Sequence, residues 1–134
     1  MNDSDRGTLL STMRVDGSGA AEVRHVVAAA AEAIGLDRAA ADRFVVAVNE
    51  VVINAIRHGG GIADVMINGD DGRLLVTVVD FGPGLSTDVP TELPSADQTN
   101  GRGLWLTHHL CDDVTIDSSP AGTRVRLAAT ASLT

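Results

Sequence analysis

The chain has 134 residues, of which 44% are hydrophobic and only 2% aromatic, and its formal net charge is −8. That length fits one domain with an aliphatic core, and the acidic balance argues against a nucleic-acid backbone or an anionic membrane as the main partner. All ten basic residues are arginine, which excludes a P-loop, a eukaryotic-type protein kinase and Schiff-base chemistry, because each of these needs a lysine.

The N-terminal half predicts one strand and two helices. Residues 1–7 are polar, so we expect them to be disordered, and they lack the basic start of a signal peptide. Thr8–Val15 predicts a first strand, and 22–34 predicts an amphipathic helix that ends at a glycine. Asp37 or a neighbour then caps a longer helix, which ends near His58 at three consecutive glycines.

The second predicted helix is apolar around most of its circumference, yet it carries Glu50 and Asn54. These two side chains are four residues apart and therefore lie on one face of the helix. A carboxylate and an amide on a mostly buried helix are costly unless something polar meets them. Two interpretations are open. Either this face is the solvated side of the helix, or Glu50 is a general base and Asn54 an oxygen ligand for Mg²⁺.

After the second helix the hydrophobic period changes to two, which predicts strands over 62–68 and 74–80 joined by a turn. The second of these strands ends at Asp80, which is followed by Gly82 and Gly84. An Asp at a strand end can accept a hydrogen bond from an exocyclic amine such as that of adenine. The glycines would let the backbone pass close to a flat ring. An ordinary turn would show the same residues, and it is the simpler interpretation of this segment taken alone.

Two glycines, Gly101 and Gly103, stand directly before a predicted helix over 104–111, with Arg102 between them. Glycines that open a helix free backbone N–H groups at the positive end of its dipole, which makes an anion site. Arg102 adds a charge that would reach a phosphate. Gly-x-Gly alone is a weak signal, and the third glycine of a dinucleotide-binding turn is missing.

The C-terminal part predicts a closing hairpin, with strands over 114–118 and 123–128. Helices therefore come first along the chain, and mostly neighbouring antiparallel strands follow. This order favours an α+β two-layer sandwich, in which a mixed, mostly antiparallel sheet has its helices on one face. The alternation of strands and helices that a doubly wound fold requires is missing.

In this order and spacing, the three motifs resemble a known ATPase domain. It is the domain shared by DNA gyrase, the ninety-kilodalton heat-shock chaperone, sensor histidine kinases and mismatch-repair ATPases, the GHKL superfamily with its Bergerat fold. Within that superfamily the chain is most similar to the small bacterial anti-sigma factors that are also serine-protein kinases. The resemblance covers roughly residues 20–128 and implies a histidine-kinase-like ATPase domain over 8–134.

The resemblance assigns a role to each motif residue. Glu50 is implied to be the base that takes a proton from a substrate hydroxyl, and Asn54 to be the Mg²⁺ ligand. Asp80 is implied to bind the amino group of adenine, with Gly82 and Gly84 shaping the floor of that pocket.

Two further groups of residues take implied roles from the same resemblance. A phosphate-facing turn and helix start would be made by Gly101, Arg102, Gly103 and Leu104. Thr123, which follows Gly122, is implied to support the adenine-binding aspartate through its hydroxyl. The loop between the Gly84 and Gly101 motifs would act as a lid over ATP.

The function implied by the resemblance is an ATP-dependent anti-sigma factor with serine/threonine-protein kinase activity. It would bind ATP and Mg²⁺, hold a sigma factor inactive and phosphorylate an anti-anti-sigma antagonist protein. A homodimer is implied, without direct contact to nucleic acid or membrane. The single cysteine, Cys111, favours a reducing cytoplasm because it cannot form an internal disulfide.

Two alternatives remain beside the kinase. The first is a non-catalytic switch, in which ATP only props the domain in a state that binds partner proteins; the intact Glu50 argues against it. The second is the catalytic piece of a histidine kinase, which would need a phosphoacceptor helix pair that the predicted elements do not include.

Overall fold

A computed structural model describes residues 8–58, 60–70, 72–82 and 113–131. Its elements are β1 Thr8–Val15, α1 Ala20–Ile34, α2 Arg38–His58, β2 Ala63–Asp70, β3 Arg73–Asp80, β4 Asp113–Ser119 and β5 Gly122–Thr130. Each one confirms a predicted element of the same type. The predicted disorder of 1–7, the loop beyond residue 82 and the helix over 104–111 lie outside the described residues.

The end of α1 and both boundaries of α2 lie at residues whose chemistry explains them. Gly35 ends α1 in the left-handed conformation, with φ at 96°. Asp37 caps α2, because its Oδ1 accepts a hydrogen bond from the backbone N–H of Ala40 at 2.7 Å. The glycines after α2, Gly60 and Gly61, have φ values of 90° and 87° and turn the chain toward β2.

The five strands form one sheet in the order β1-β2-β3-β5-β4. All four strand pairs that the structure describes are antiparallel, which agrees with the mostly antiparallel sheet that the sequence analysis expected. The parallel pair of a mixed sheet does not occur among the described strands, because β4 and β5 form a hairpin whose second strand, not its first, lies against β3. Within the described sheet, β4 therefore lies at the edge and pairs with β5.

The core lies between one face of the sheet and the two helices. On β2, β3 and β5 the inward residues alternate with outward ones and stay in register, as in the row formed by Ile67, Val76 and Leu127. Phe44 of α2 is the largest side chain that is fully buried against them. Each such aliphatic or aromatic side chain contributes about 1.5–3 kcal/mol on burial, so this layer holds α2 firmly on the sheet.

The two helices cover the inner face only. α1 contacts β2 and β3, and α2 contacts β2, β3 and β5. This confirms the two-layer α+β architecture with helices on one face. Neither of the helices that the structure describes is long and apolar enough to cross a membrane.

Candidate functional site

Asp80, the last residue of β3, is an acidic side chain held almost out of solvent. It is only 8% exposed. Its Oδ1 accepts hydrogen bonds from the backbone N–H of Gly82 at 3.2 Å and from that of Thr123 at 3.3 Å. Two fixed backbone donors on one oxygen orient the carboxylate without any cation. Within the described part of the chain, no donor reaches Oδ2, which leaves that oxygen for a group from outside.

The start of β5 approaches Asp80 closely because Gly122 has no side chain. Gly122 has a φ of 149°, and a Cβ there would overlap the backbone carbonyl oxygen of Asp80. Every other residue type would therefore push the hairpin away from β3. This contact brings the backbone N–H of Thr123 to the Asp80 carboxylate. Gly122 therefore contributes by allowing the close approach, and Thr123 by donating the hydrogen bond.

Thr123 supports Asp80 differently from the way the sequence analysis expected. The supporting group is its backbone N–H, whereas its hydroxyl Oγ1 lies 3.1 Å from Oγ of Ser118. Ser118 is a site residue that the sequence analysis missed. The register of the hairpin would have indicated it, because Ser118 pairs with Thr123 across β4 and β5 and so shares its face of the sheet.

Glu50 and Asn54 lie on α2, which packs against β3 and β5. Both residues are partly buried, and the amide nitrogen Nδ2 of Asn54 is fully inaccessible. Nδ2 also has no hydrogen-bond acceptor among the residues that the structure describes. A helix face in contact with water does not leave an amide nitrogen inaccessible to solvent. The interpretation of this face as the solvated side of the helix therefore fails for Asn54. A buried donor without an acceptor costs about 1–3 kcal/mol, so Nδ2 of Asn54 carries an uncompensated cost within the described residues.

The amide of Asn54 is compatible with a Mg²⁺ site. Its oxygen Oδ1 is the atom that would coordinate the cation. Across the described ranges, no three His, Cys, Asp or Glu side chains lie close enough to hold a metal ion. Mg²⁺ commonly takes one or two protein oxygens and completes its shell with water and phosphate, so a single Asn ligand is sufficient.

A second contact that the sequence analysis missed joins the two helices beside Glu50. The guanidinium of Arg24 on α1 donates a hydrogen bond to the amide oxygen of Asn49 on α2, at 3.1 Å. Asn49 immediately precedes Glu50, so this bond ties the Glu50 turn of α2 to α1. Sequence spacing alone gives no sign of such a pair, because the two residues are 25 positions apart.

A cavity of about 450 Å³ opens beside Asp80 at the end of the sheet. Its lining includes Val79, Phe81 and Arg124, which belong to the outer face of the sheet, together with Thr123 and the turn between β4 and β5. The Asp80 carboxylate faces the inner side of the sheet, so this cavity lies behind the carboxylate.

Among the predicted site residues, the structure brings Asp80, Gly82 and Thr123 into contact, and it places Glu50 and Asn54 on the helix that packs against β3 and β5. Their roles stay predictions. The other predicted site residues lie outside the described residues, and their roles stay predictions: Gly84, Gly101, Arg102, Gly103 and Leu104.

Comparison with known proteins gives one family and one fold. A family model described as a histidine kinase-like ATPase domain matches residues 15–129. A search of curated proteins finds no significant match. Among solved structures, the RsbU and RsbW domains of Rv1364c from Mycobacterium tuberculosis match with a TM-score of 0.61 and 21% identity. That match covers 90% of this chain and 32% of the other, so the chain spans about a third of the longer protein's structure and shares its fold.

Proposed function

The chain belongs to the histidine kinase-like ATPase domain family, and from this premise we propose that it is an ATP-dependent serine/threonine-protein kinase that acts as an anti-sigma factor. It binds ATP with Mg²⁺, transfers the terminal phosphoryl group to a Ser or Thr of an anti-anti-sigma antagonist, and holds a sigma factor inactive. It works in the cytoplasm as a homodimer and contacts neither nucleic acid nor membrane directly.

The observation that carries the proposal is the Asp80 carboxylate. It is buried, it is held by two backbone N–H groups, and its other oxygen has no donor among the described residues. Its free oxygen accepts the amino group of adenine, which distinguishes ATP from nucleotides that carry a carbonyl at that ring position. The anti-sigma and kinase roles rest on the motif resemblance of the sequence, because the likeness to the structure with an RsbW domain carries the fold alone.

The residues of α2 supply the phosphoryl-transfer end of the site in this proposal. Glu50 accepts the proton of the attacking hydroxyl, and Asn54 would hold the cation with its amide oxygen. Mg²⁺, when bound, neutralises charge on the phosphates. The protein itself supplies mainly positioning, and phosphoryl transfer depends on positioning together with this neutralisation of charge.

The test is phosphotransfer from labelled Mg-ATP to candidate antagonist proteins encoded in the same genome. We expect label on a Ser or Thr with wild-type protein, and none with Glu50→Gln, which should still bind Mg-ATP. Glu32→Gln is the matched control, because Glu32 is an exposed acid on α1 and its loss should leave transfer unchanged.

Two outcomes would contradict the kinase proposal. Wild-type protein that binds Mg-ATP and regulates its partner equally well with or without Glu50 would be a nucleotide-dependent switch and not a kinase. Folded protein that binds no nucleotide would be a domain that acts through protein contacts alone.

A further inference from the structure

Three side chains on the outer face of the sheet form a cluster behind Asp80. Arg14 of β1 makes two hydrogen bonds to Asp64 of β2, from Nε to Oδ1 at 2.7 Å and from a terminal nitrogen to Oδ2 at 3.0 Å. The same guanidinium lies over the ring of Phe81, with Cζ 5.5 Å from the ring centroid. We name these three residues the Arg14 cluster.

The cluster reaches the candidate site through the chain itself. Phe81 stands between Asp80, whose carboxylate faces inward, and Gly82, whose N–H holds that carboxylate. The strand register connects the three strands at this end of the sheet, because Arg14 pairs with Asp64 and Ala63 pairs with Asp80. The Phe81 ring on the outer face and the Asp80 carboxylate on the inner face are therefore two sides of one backbone corner, residues 80–82.

Exposure argues that Phe81 is not an ordinary core residue. It is 54% exposed, in a chain with only two phenylalanines and no tyrosine. Burial of the ring therefore cannot be what fixes its position, and the described contact that orients it is the guanidinium of Arg14. Asp64 in turn fixes the guanidinium in a bidentate, planar geometry, which a lysine at position 14 would not reproduce.

We propose that Arg14, fixed by Asp64 and lying over Phe81, is a positioning residue that aims the Asp80 carboxylate at the amino group of adenine. The inference rests on the proposed function, since it names a determinant of nucleotide selectivity at the same site. Arg14 touches no nucleotide. It acts by limiting the rotation of the corner at residues 80–82, so that the Asp80 carboxylate presents an acceptor in one direction.

Selectivity for the amino group separates this role from a general structural one. Mg-ADP and Mg-IDP differ at the ring position that Asp80 recognises, because IDP carries a carbonyl in place of the amino group. A variant in which the corner at residues 80–82 is less well oriented should bind ADP more weakly and IDP with unchanged affinity. A protein that is merely less stable loses both affinities together, or neither.

The experiment is calorimetric measurement of the dissociation constants of Mg-ADP and Mg-IDP for wild-type protein, Arg14→Gln and Phe81→Leu. We expect each variant to lower the preference for ADP by about two- to fivefold, the range set by an exposed cation–π contact, with the IDP constant unchanged. Phe81→Tyr should restore the wild-type preference, because it keeps the ring.

Arg73→Gln is the matched control. Arg73 also lies in the sheet and also pairs with a carboxylate across strands, Asp113 at 3.9 Å, but at the opposite end of β3. The preference for ADP should be unchanged in this variant. Thermal unfolding of every variant in the absence of nucleotide shows that the selectivity is compared among folded proteins.

Two results would overturn the inference, and they differ. A wild-type preference for ADP that survives both Arg14→Gln and Phe81→Leu would remove the positioning role and leave the proposed function intact. Wild-type protein without any preference for ADP, or without nucleotide binding, would overturn the adenine role of Asp80 and the positioning role with it.

Discussion

In the proposed function the Asp80 corner and the Asn54 face of α2 are two walls of one site, and they differ in how completely their polar atoms are hydrogen-bonded. The Asp80 carboxylate has two backbone donors fixed in place. The Asn54 amide nitrogen is buried and has no acceptor within the described ranges. The first wall is built before any ligand arrives, whereas the second holds a donor that no described residue satisfies.

In the proposed function, the Asp80 wall recognises the base and the Asn54 wall takes part in phosphoryl transfer. A preorganised acceptor gives selectivity, because it costs no reorganisation when the correct ring arrives. A buried amide N–H without a partner carries a cost that only a hydrogen-bond acceptor would relieve. Each of the following predictions changes one of the two walls and leaves the other as it is.

The largest effect is expected from Gly122→Ala, which breaks the preorganised wall. The new Cβ would overlap the Asp80 backbone, and the φ of 149° is unfavourable for any side chain. We expect the free energy of unfolding to fall by about 2–4 kcal/mol, measured by urea denaturation. Gly17→Ala is the control, because a Cβ there meets nothing within 4 Å. Equal stability of the two variants would mean that β5 does not press against Asp80.

A smaller effect of opposite sign is expected from Asn54→Leu in the absence of ligand. Removing a buried donor that has no acceptor should raise the free energy of unfolding by about 1 kcal/mol. The same variant should lose the increase in melting temperature that Mg-ATP gives to the wild-type protein.

Asn49→Leu is the control for Asn54, because the amide of Asn49 already has a partner in Arg24. We expect this variant to lose about 0.5 kcal/mol or nothing, and to keep its response to Mg-ATP. If Asn54→Leu also lost stability without ligand, its amide would have a partner in the ligand-free protein, and the contrast between the two walls would not hold.

The smallest effect concerns the cluster behind the preorganised wall. The hydrogen bond and charge of Arg14 hold the pKa of Asp64 below its usual value. A carboxyl with a lowered folded-state pKa contributes stability above its unfolded-state pKa, about 3.9, and loses it as pH falls through the lower folded-state value. Asp64→Asn should therefore reduce the loss of stability between neutral pH and acid below pH about 4, measured by urea denaturation. An unchanged pH profile would show that the ion pair is not formed in solution.

Much of the fold could be predicted because its local signals agree with each other. The change of hydrophobic period after the glycines that follow α2 separated helices from strands. The capping residue Asp37 and the αL residue Gly35 fixed the ends of the helices. The strand order could not be predicted, because the sequence does not show whether β4 or β5 pairs with β3, and the fully antiparallel sheet follows from that choice.

Sequence reasoning could propose those site residues whose type and position are informative by themselves. Asp80 and Gly82 were proposed because they directly follow an apolar strand. The hydrogen bond from the backbone N–H of Thr123 to Asp80 was not predicted. Every residue type except proline has a backbone N–H, so the sequence pointed to the threonine hydroxyl instead. The Arg14 cluster joins residues 50 positions apart, so only the register of β1 against β2 reveals it.

The most direct test of this account is calorimetric titration of Mg-ATP and Mg-ADP into wild-type protein and Asp80→Asn. Asparagine can keep the oxygen that the two backbone N–H groups hold, but its amide nitrogen would replace the free acceptor. We expect both nucleotides to bind the wild type and to bind the variant at least about tenfold more weakly, with the fold unchanged. Binding that is indifferent to Asp80→Asn, or absent from folded wild-type protein, would contradict the assignment of Asp80 as the preorganised adenine acceptor.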